Sequence, residues 1–503
     1  MHHDQTTEPT PPSFRSILKL ESKRASVYTV STFITQFGSF LVVPLFWQKF
    51  SPSDYGVIAV TEIIGAVLGV IFGVSLDSSV TRFYYEWPEQ ERKRRVGAIW
   101  VASWISSIVL GCVSLFLLSQ ANHLLFPDVQ FYPFIFLGLI VSILRSFMLV
   151  PIATIRIKQL PGLYSIVSIA SFIVQMSLSI YFVIILDQQL MGYFVANIIS
   201  NSIVAVVSVA IMLRFAVPCI RGAGLRESLK FSMPIIPANL LSSVSSVVDR
   251  FVLQQFVSLE NLGIYAISLK FTNLIILFHT ALKLSYVPFM VESLSKNRPN
   301  AIRDLTQMSM FYVLPILMTG LAIMTYAKDF VYFANRSEYL PVIQWIPWLI
   351  LPAILQTLNV YFTPGLFLSK RTDLMWIPAV IQMVAILASG LLLIPNYQME
   401  GAVITRYCSA MSFFAISFVM SEKYFPIQVN WIKVFLLMVI MVSGMIVLSF
   451  VEFKNIVVGI LAKAFFIASF GMVCLVIIVG LSSCSRNLQR LKTHAFERFI
   501  KER

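Results

Sequence analysis

The sequence predicts an all-α protein that crosses a membrane many times. Of its 503 residues, 57% are hydrophobic and only 12% are charged, and the mean hydropathy is +0.81. In a soluble domain of this size, roughly a quarter of all residues are charged. Apolar stretches of about 20 residues, the length that crosses a bilayer, recur along the whole chain.

Taken in order, fourteen stretches have this length, and each predicts one transmembrane helix. They span residues 25–47, 56–80, 96–119, 131–153, 161–186, 190–213, 231–256, 262–290, 305–327, 341–368, 373–395, 399–420, 431–451 and 456–481. The residues before the first helix are polar, basic and contain proline, which is not the pattern of a cleavable signal peptide. Helix 1 is therefore expected to act as its own insertion signal.

The basic residues predict the orientation of these helices. With the N-terminus placed inside, 28 of the 38 Lys and Arg residues fall on the inner side, and only Lys49, Lys328, Arg336 and Lys454 fall on the outer side. Because cytoplasmic loops are enriched in Lys and Arg, both termini are predicted to be cytoplasmic. The net charge of +14 is then explained by topology and lipid headgroups, and no nucleic-acid partner is expected.

The chain contains an internal repeat. A shift of 207 residues aligns FSPSDYGVIAV, which follows helix 1, with FVSLENLGIYAI, which follows helix 7, and it places Gly56 on Gly263. Six helices separate the two copies, so the two halves have the same orientation. Transporters built from parallel repeats of this kind commonly bind their substrate between the halves.

The predicted organisation follows from this repeat. It consists of a cytoplasmic tail (1–24), a first six-helix bundle (25–213), a cytoplasmic linker (214–230), a second six-helix bundle (231–420), two additional helices (421–481) and a basic cytoplasmic tail (482–503).

One face of helix 7 is polar. Asn239, Ser242 and Ser246 recur on it at steps of three and four residues, and Asp249 and Arg250 follow within the same span. Such a face must meet protein or a water-filled cavity, because lipid cannot satisfy its polar groups. The repeat gives helix 1 a corresponding face, which we expect to share in lining a lumen and contacting the substrate: Thr32, Thr35, Gln36 and Ser39.

Four cations lie deep within predicted helices, namely Arg145, Arg250, Lys270 and Arg406. Each costs at least ~2.5–3.5 kcal/mol if it faces lipid. They are therefore candidates for a cationic lumen that binds an anionic substrate, such as a pyrophosphate-linked lipid. The alternative is that they form structural ion pairs with Asp249, Glu62 or Asp77.

Five further residues are candidates for gating or for coupling to an H⁺ or Na⁺ gradient. Asp249 fits ion coupling, or it holds a neighbouring helix. His279 fits a protonation switch or a buried packing residue. Asp77 and Arg82 fit a cytoplasmic gate or a plain helix end, and Glu62 is the remaining acidic candidate.

No catalytic or metal-binding pattern occurs in the sequence. The five cysteines are scattered without CxxC spacing or neighbouring His, and neither a Gly-rich phosphate loop nor an HExxH motif is present. No catalytic residue, metal or bound cofactor is therefore predicted. The energy for transport is expected to come from an ion gradient, from the membrane potential or from the substrate gradient.

The motifs around helix 7 resemble those of the polysaccharide-exporter branch of the multidrug/oligosaccharidyl-lipid/polysaccharide (MOP) flippase superfamily. In that family a proline-containing helix 7 ends in Asp-Arg, and a Gly-Ile-Tyr turn opens helix 8, which often carries a basic residue. The matching residues here are Pro234, Pro237, Asp249, Arg250, Gly263, Ile264, Tyr265 and Lys270. The first half carries SPSDYGVIAV and then SSVTRFYYE, and the resemblance covers residues 25–420.

The resemblance implies a transporter in a bacterial inner membrane, and not an enzyme. Its substrate would be an undecaprenyl-pyrophosphate-linked oligosaccharide repeat unit of O-antigen, capsule or exopolysaccharide, flipped from the inner to the outer leaflet by alternating access. Its partners would be this lipid-linked oligosaccharide, membrane lipids, and the polysaccharide polymerase and glycosyltransferases of the same pathway.

Three alternatives remain beside this reading. Two are transporters of the same superfamily, a lipid II flippase and a multidrug/cation antiporter, and an excess of basic groups in the lumen argues against cationic drugs. The third belongs to another class, an integral-membrane glycosyl-transfer enzyme.

Overall fold

The computed structural model describes residues 14–219, 224–295, 301–365, 369, 371, 374–424, 429–449 and 456–479. Within these ranges every regular element is a helix, which confirms the predicted all-α membrane fold. The start of the predicted N-terminal tail (1–13), part of the predicted linker (220–223) and the predicted C-terminal tail (482–503) lie outside the described residues.

Twelve helices in the described ranges are long and apolar enough to cross a membrane. They are α1 (Ser26–Trp47), α2 (Pro52–Phe72), α3 (Glu89–Leu125), α4 (Phe131–Ile157), α5 (Pro161–Ile185), α6 (Gln189–Phe215), α7 (Ile235–Leu253), α8 (Leu259–Val287), α9 (Leu305–Phe333), α10 (Ser337–Phe362), the helix Trp376–Tyr424 and the helix Val458–Ile478. A shorter apolar helix, Trp431–Val447, precedes the last of them.

The helix Trp376–Tyr424 is a pair of spans. Its 49 residues would measure about 74 Å if straight, more than twice the hydrocarbon thickness of a bilayer. The chain instead turns at Gln398 (φ 47°, ψ −115°), and Gln382 donates to the Ser409 hydroxyl across 3.1 Å. We label the two arms α11 (376–397) and α12 (399–424), the short apolar helix α13 and the last helix α14. The described residues thus contain about the predicted number of spans, with α13 shorter than a full span.

Helices α2 and α8 begin with the same local chemistry at repeat-related positions. Ser51 caps α2 by accepting from the Asp54 amide, while the Asp54 carboxylate accepts from the Ser51 amide. In the second half, Ser258 accepts from the Asn261 amide at 3.3 Å. These caps satisfy N–H groups that a helix start leaves unpaired.

The two halves of the molecule meet where α2 crosses α8. A Cβ added at Gly56 would clash with the backbone carbonyl of Leu259, and one added at Gly263 would clash with the backbone carbonyl of Pro52. The two glycines and the two carbonyl residues are each separated by the repeat length, so the contact is pseudo-two-fold. Glycine is required here because the two backbones touch.

The end of the molecule that contains this crossing is closed. The Tyr339 hydroxyl donates to the Phe50 carbonyl (2.7 Å), and the Gln254 amide donates to the Leu125 carbonyl (2.6 Å). Both bonds join the two halves, and the Tyr339 ring also stacks on Trp47 at 4.6 Å between centroids. This is the end predicted to face away from the cytoplasm, and we call it the outer end.

A second pair of similar turns, 209 residues apart, joins α5 to α6 and α11 to α12. Gln189 and Gln398 both have positive φ (46° and 47°). In each case the glycine three residues later, Gly192 or Gly401, approaches a backbone carbonyl of the preceding helix. This similarity extends the repeat to the end of each half, although the predicted domain boundaries themselves stay a prediction.

The appended helices are attached to the second half by an ion pair. Lys463 of α14 contacts both carboxylate oxygens of Asp329 of α9 at 2.6 and 2.8 Å. The Tyr326 hydroxyl donates to the Ile460 carbonyl one helical turn away (3.1 Å). Lys463 is therefore a structural residue of this helix contact.

Replacing Gly263 with alanine is expected to lower the thermal stability of the protein, because overpacking a tight contact costs roughly 1–3 kcal/mol. The unfolding temperature of the purified protein in detergent measures the effect. Gly69→Ala in α2 is the matched control, since an added Cβ there meets nothing within 4 Å. Equal unfolding temperatures for the two variants would contradict the tight crossing.

Candidate functional site

Three adjoining cavities lie between the two halves, on the inner side of the α2–α8 crossing. The first cavity (about 590 Å³) is lined mainly by α2, α4, α6 and α7. The second (about 560 Å³) is lined mainly by α7, α8, α10, α11 and α12, and the third (about 520 Å³) by α1, α2, α5, α6 and α8. Each is within the usual size of a ligand site.

Glu62 of α2 lines all three cavities. Its side chain is 42% exposed, and its Oε2 lies 3.4 Å from Nη1 of Arg250 on α7. This ion pair joins the first half to the second. Because the carboxylate is largely exposed, the pair is screened and its net contribution to stability is about 0–1 kcal/mol.

Asp249, the neighbour of Arg250, points away from the cavities. It is fully buried, and its Oδ2 accepts from Arg406 Nε at 2.7 Å and from the Tyr265 hydroxyl at 2.6 Å. These two contacts of Asp249 hold α7, α8 and α12 together within the second half. Of the two sequence-based alternatives for Asp249, this geometry favours the one in which it holds a neighbouring helix.

Arg145 of α4 is exposed to the first cavity. Its Nη2 donates to the side-chain oxygen of Asn197 on α6 (3.3 Å), which also accepts from Gln175 of α5 (2.9 Å). Asn197 follows Gly192 by five residues, and Arg406 follows Gly401 by five. The same repeat position therefore holds an amide in one half and a cation in the other.

Lys270 of α8 lines the second and third cavities. Its ammonium nitrogen lies 5.1 Å from the centroid of the Tyr55 ring, within the range of a cation–π interaction. Among the described residues, neither Lys270 nor Arg145 forms a salt bridge with a carboxylate. These two cations face the cavities without a neutralising partner.

The predicted polar face of α7 lies along the first two cavities. Asn239 and Ser242 line the first cavity, and Ser242 and Ser246 line the second. Asn239 also donates to the Ser75 hydroxyl of the first half (3.1 Å).

The corresponding face of α1 is divided. Gln36 and Ser39 line the third cavity, whereas Thr32 lies in a separate pocket toward the inner end. The Thr35 hydroxyl donates to the Thr32 carbonyl (3.0 Å), and Thr35 is not among the residues that line these four spaces.

The remaining sequence-based candidates lie at the margins. Asp77 lines the inner end of the first cavity, where burial raises the pKa of its carboxyl group above its usual value. Arg82 lies in the short helix Leu76–Phe83, is exposed, and pairs with Glu86 just beyond the end of that helix. His279 is buried, with Nδ1 at 3.3 Å from the Tyr361 hydroxyl, and lines none of the four spaces described here.

Several polar groups of the site were not among the predicted site residues, although Tyr265 was named as part of the motif that opens helix 8. Tyr265 and Asn197 hold charged partners, and Asn273, Gln356 and Gln382 line the second cavity. Asn197, Asn273, Gln356 and Gln382 are isolated amides in apolar helices, and this pattern could have identified them from the sequence. No group of three His, Cys, Asp or Glu residues that could hold a metal ion occurs among the described residues.

Residues 50–344 match a family model described as "Polysaccharide biosynthesis protein". The search of curated proteins gave no match. The matched segment covers more than half of the chain and contains α2–α9.

Solved membrane transporters share the fold. "Lipid II flippase MurJ, inward closed conformation" has a TM-score of 0.67 at 15% identity, covering 90% of this chain and 98% of that chain. A point mutant of the Vibrio cholerae MATE transporter VcmN has a TM-score of 0.55 at 15% identity (81% and 96% covered). An inward-facing multidrug resistance MATE family transporter of the MOP superfamily has a TM-score of 0.57 at 13% identity (81% and 97% covered). The family match and this fold confirm the resemblance drawn from the motifs.

Replacing Asp249 with asparagine is expected to destabilise the protein by roughly 3 kcal/mol, because Arg406 loses its buried counter-charge. Expression yield and unfolding temperature in detergent measure this. Glu62→Gln is the matched control and should change the stability by less than about 1 kcal/mol.

The double variant Asp249→Asn/Arg406→Gln should regain part of the lost stability, because no unpaired charge is then left behind. If Asp249→Asn is no more destabilising than Glu62→Gln, the buried pair is not the structural contact described here.

Proposed function

We propose that this chain, which belongs to the polysaccharide biosynthesis protein family, flips a lipid-linked oligosaccharide between the leaflets of a membrane. Its substrate is an undecaprenyl-pyrophosphate-linked repeat unit, moved from the inner to the outer leaflet of a bacterial inner membrane. Glycosyltransferases and a polysaccharide polymerase of the same pathway would supply and consume this substrate.

The pair of unneutralised cations, Arg145 and Lys270, is the observation that carries this proposal. Arg250 and Arg406 are neutralised by Glu62 and Asp249. Arg145 and Lys270 face connected cavities from opposite halves, and a charged group in a narrow cavity interacts more strongly with an opposite charge than it would in bulk water. A pyrophosphate bound between them would contact both halves at once.

The polar lining of the cavities suits the sugar portion of such a substrate. Asn239, Ser242 and Ser246 on α7, with Gln36 and Ser39 on α1, present amides and hydroxyls to the cavities. These groups donate and accept hydrogen bonds without carrying charge. We propose that they contact sugar hydroxyls while the cations hold the phosphates.

Transport by alternating access requires the outer end to open. In the structure it is closed by the Tyr339–Phe50 and Gln254–Leu125 hydrogen bonds and by the glycine crossing. The two hydrogen bonds are neutral, and each contributes about 0.5–1.5 kcal/mol. These two bonds therefore add only about 1–3 kcal/mol to the cost of opening, and the α2–α8 crossing must separate as well.

A lipid II flippase is the second candidate, and the fold shared with MurJ favours it. Both candidates bind a lipid-linked saccharide, so the cationic cavity alone does not separate them. A cationic drug is a poorer fit, because the cavities contain two cations without a carboxylate partner. A glycosyl-transfer enzyme would change the covalent structure of a labelled lipid-linked oligosaccharide, whereas a flippase changes only its leaflet.

We further propose that Glu62 links substrate binding to an H⁺ or Na⁺ gradient. It pairs with Arg250 on α7, and it lines the second cavity together with Lys270 and the first cavity together with Arg145 and Tyr193. An anionic headgroup that binds Arg250 must displace this carboxylate. The freed carboxylate can then take up a proton or a sodium ion from the same space.

Arg145→Gln and Lys270→Gln are expected to lower flipping at least tenfold while the protein still inserts into the membrane, because each removes a charge-assisted contact. Surface glycan measures this in a host that supplies the complete pathway, with membrane insertion checked by immunoblot. Arg336→Gln is the control, since Arg336 lies in an outer loop and pairs only with Glu338 among the described salt bridges. Full glycan output from both cavity variants would rule the proposal out.

Glu62→Gln is expected to bind the anionic headgroup about threefold or more tightly, because Arg250 loses its competing carboxylate. The same variant should lose the stimulation of flipping by an imposed pH or Na⁺ gradient. Proteoliposomes with a fluorescent lipid-linked oligosaccharide measure both, and Glu62→Asp should keep the response. A gradient response that persists unchanged in Glu62→Gln would contradict the coupling role.

A further inference from the structure

A small pocket lies apart from the three cavities, toward the inner end of the molecule. Its volume is about 360 Å³, and we call it the inner pocket. Five of its six lining residues carry hydroxyl groups and the sixth is an arginine; they are Tyr28, Thr29, Thr32, Arg156, Tyr164 and Thr280. They come from α1, α4, α5 and α8, so both halves contribute.

The inner pocket lies close to the inner ends of the apolar spans of α1, α4 and α5. Arg156 is the penultimate residue of α4, and Tyr164 lies in the first turn of α5. Tyr28 is the third residue of the α1 span. One helical turn measures about 5.4 Å, so these side chains lie close to the end of the apolar spans. Phosphate groups of membrane lipids occupy this boundary.

The side chains are arranged to receive an anion. Arg156 Nη2 donates to the Tyr164 hydroxyl at 3.1 Å, and its guanidinium lies 5.0 Å from the centre of the Tyr164 ring. The Tyr28 ring contacts the same ring edge-to-face at 4.9 Å. The Tyr164 hydroxyl also lies within hydrogen-bonding reach of the Thr32 and Ser168 side chains. A guanidinium with neighbouring hydroxyls is the donor set that recognises phosphate oxygens.

The surroundings of the inner pocket favour a lipid over a free anion. Val30 and Ile34 on α1 flank Thr32, and both are exposed. Phe278 on α8 precedes Thr280 by two residues and is also exposed. The two helices that bound the pocket therefore carry exposed apolar side chains at its level, and a hydrocarbon chain attached to a bound phosphate can pack along them.

The inner pocket leads to the central cavities along two helices. Gln36 and Ser39, which line the third cavity, follow Thr32 on α1 by about 6 and 10 Å of helix. Lys270 precedes Thr280 on α8 by about 15 Å. A headgroup that leaves the inner pocket along α1 therefore reaches the third cavity and its cation within two to three helical turns.

We propose that the inner pocket is a docking site for the phosphate headgroup of a prenyl lipid in the inner leaflet, filled before the headgroup enters the third cavity. This rests on the proposed function, because the docked lipid is the one that is transported. It also gives Thr32 a role at the inner pocket, apart from the lumen in which the sequence placed it.

Cysteine protection tests the proposal in a cysteine-free background of the full chain, reconstituted in phosphatidylcholine nanodiscs. Thr280→Cys reports occupancy of the inner pocket, and Ser246→Cys reports the second cavity. Farnesyl pyrophosphate is the lipid probe and inorganic pyrophosphate is the free-anion probe. The rate of maleimide labelling is measured against the concentration of each probe.

Farnesyl pyrophosphate is expected to slow labelling at Thr280→Cys, with half-protection shifted about tenfold higher by Arg156→Gln. Arg156→Lys, which keeps the charge, should restore most of the protection, and this excludes misfolding as the cause. Arg214→Gln is the matched control at the inner end of α6, where Arg214 is exposed, and it should leave half-protection unchanged.

Absence of protection at Thr280→Cys, or protection that Arg156→Gln leaves unchanged, would overturn the proposal. Equal protection by inorganic pyrophosphate would overturn it too, because the pocket would then bind a free anion. Protection at Thr280→Cys without protection at Ser246→Cys and without flipping would support the docking site, while the transport proposal would fail.

Discussion

The energetic cost of placing a charge in the apolar part of a membrane determines where the ionisable residues of this protein lie. Inside the spans, a charge must be paired or must face a cavity. Asp249 and Arg406 form a buried pair, and Lys463 pairs with Asp329. Arg145 faces a cavity. The cavities lie between the two halves on the inner side of the crossing, where Gly56 and Gly263 let the backbones meet.

The halves share their scaffold but not their charges. The helix caps, the glycine crossing and the turns at Gln189 and Gln398 repeat in both halves. At the position of Asn197 in the first half, however, the second half carries Arg406. Duplication therefore accounts for the shape of the cavities, while later divergence of a few residues accounts for their charge.

Much of the fold could be predicted from the sequence, because span length, basic loops and the repeat are local or periodic signals. The direction in which a single side chain points could not be predicted in this way. Asp249 and Arg250 are neighbours about 100° apart on α7, and only the position of α12 decides which of them is buried. Likewise the stripe on α1 predicts one polar face, but the packing of α5 against α1 separates Thr32 from Gln36.

The ion pair within the second half is harder to break than the ion pair between the halves, and this difference suits two halves that move relative to each other. The buried Asp249–Arg406 pair is confined to the second half, where breaking it would leave an unpaired buried charge. The Glu62–Arg250 pair connects the halves, but it is open to the cavities and is easily replaced by water or by an anion. Each half can therefore stay intact while the contact between the halves breaks and re-forms. Rigid-body rocking of a transporter of this architecture requires this property.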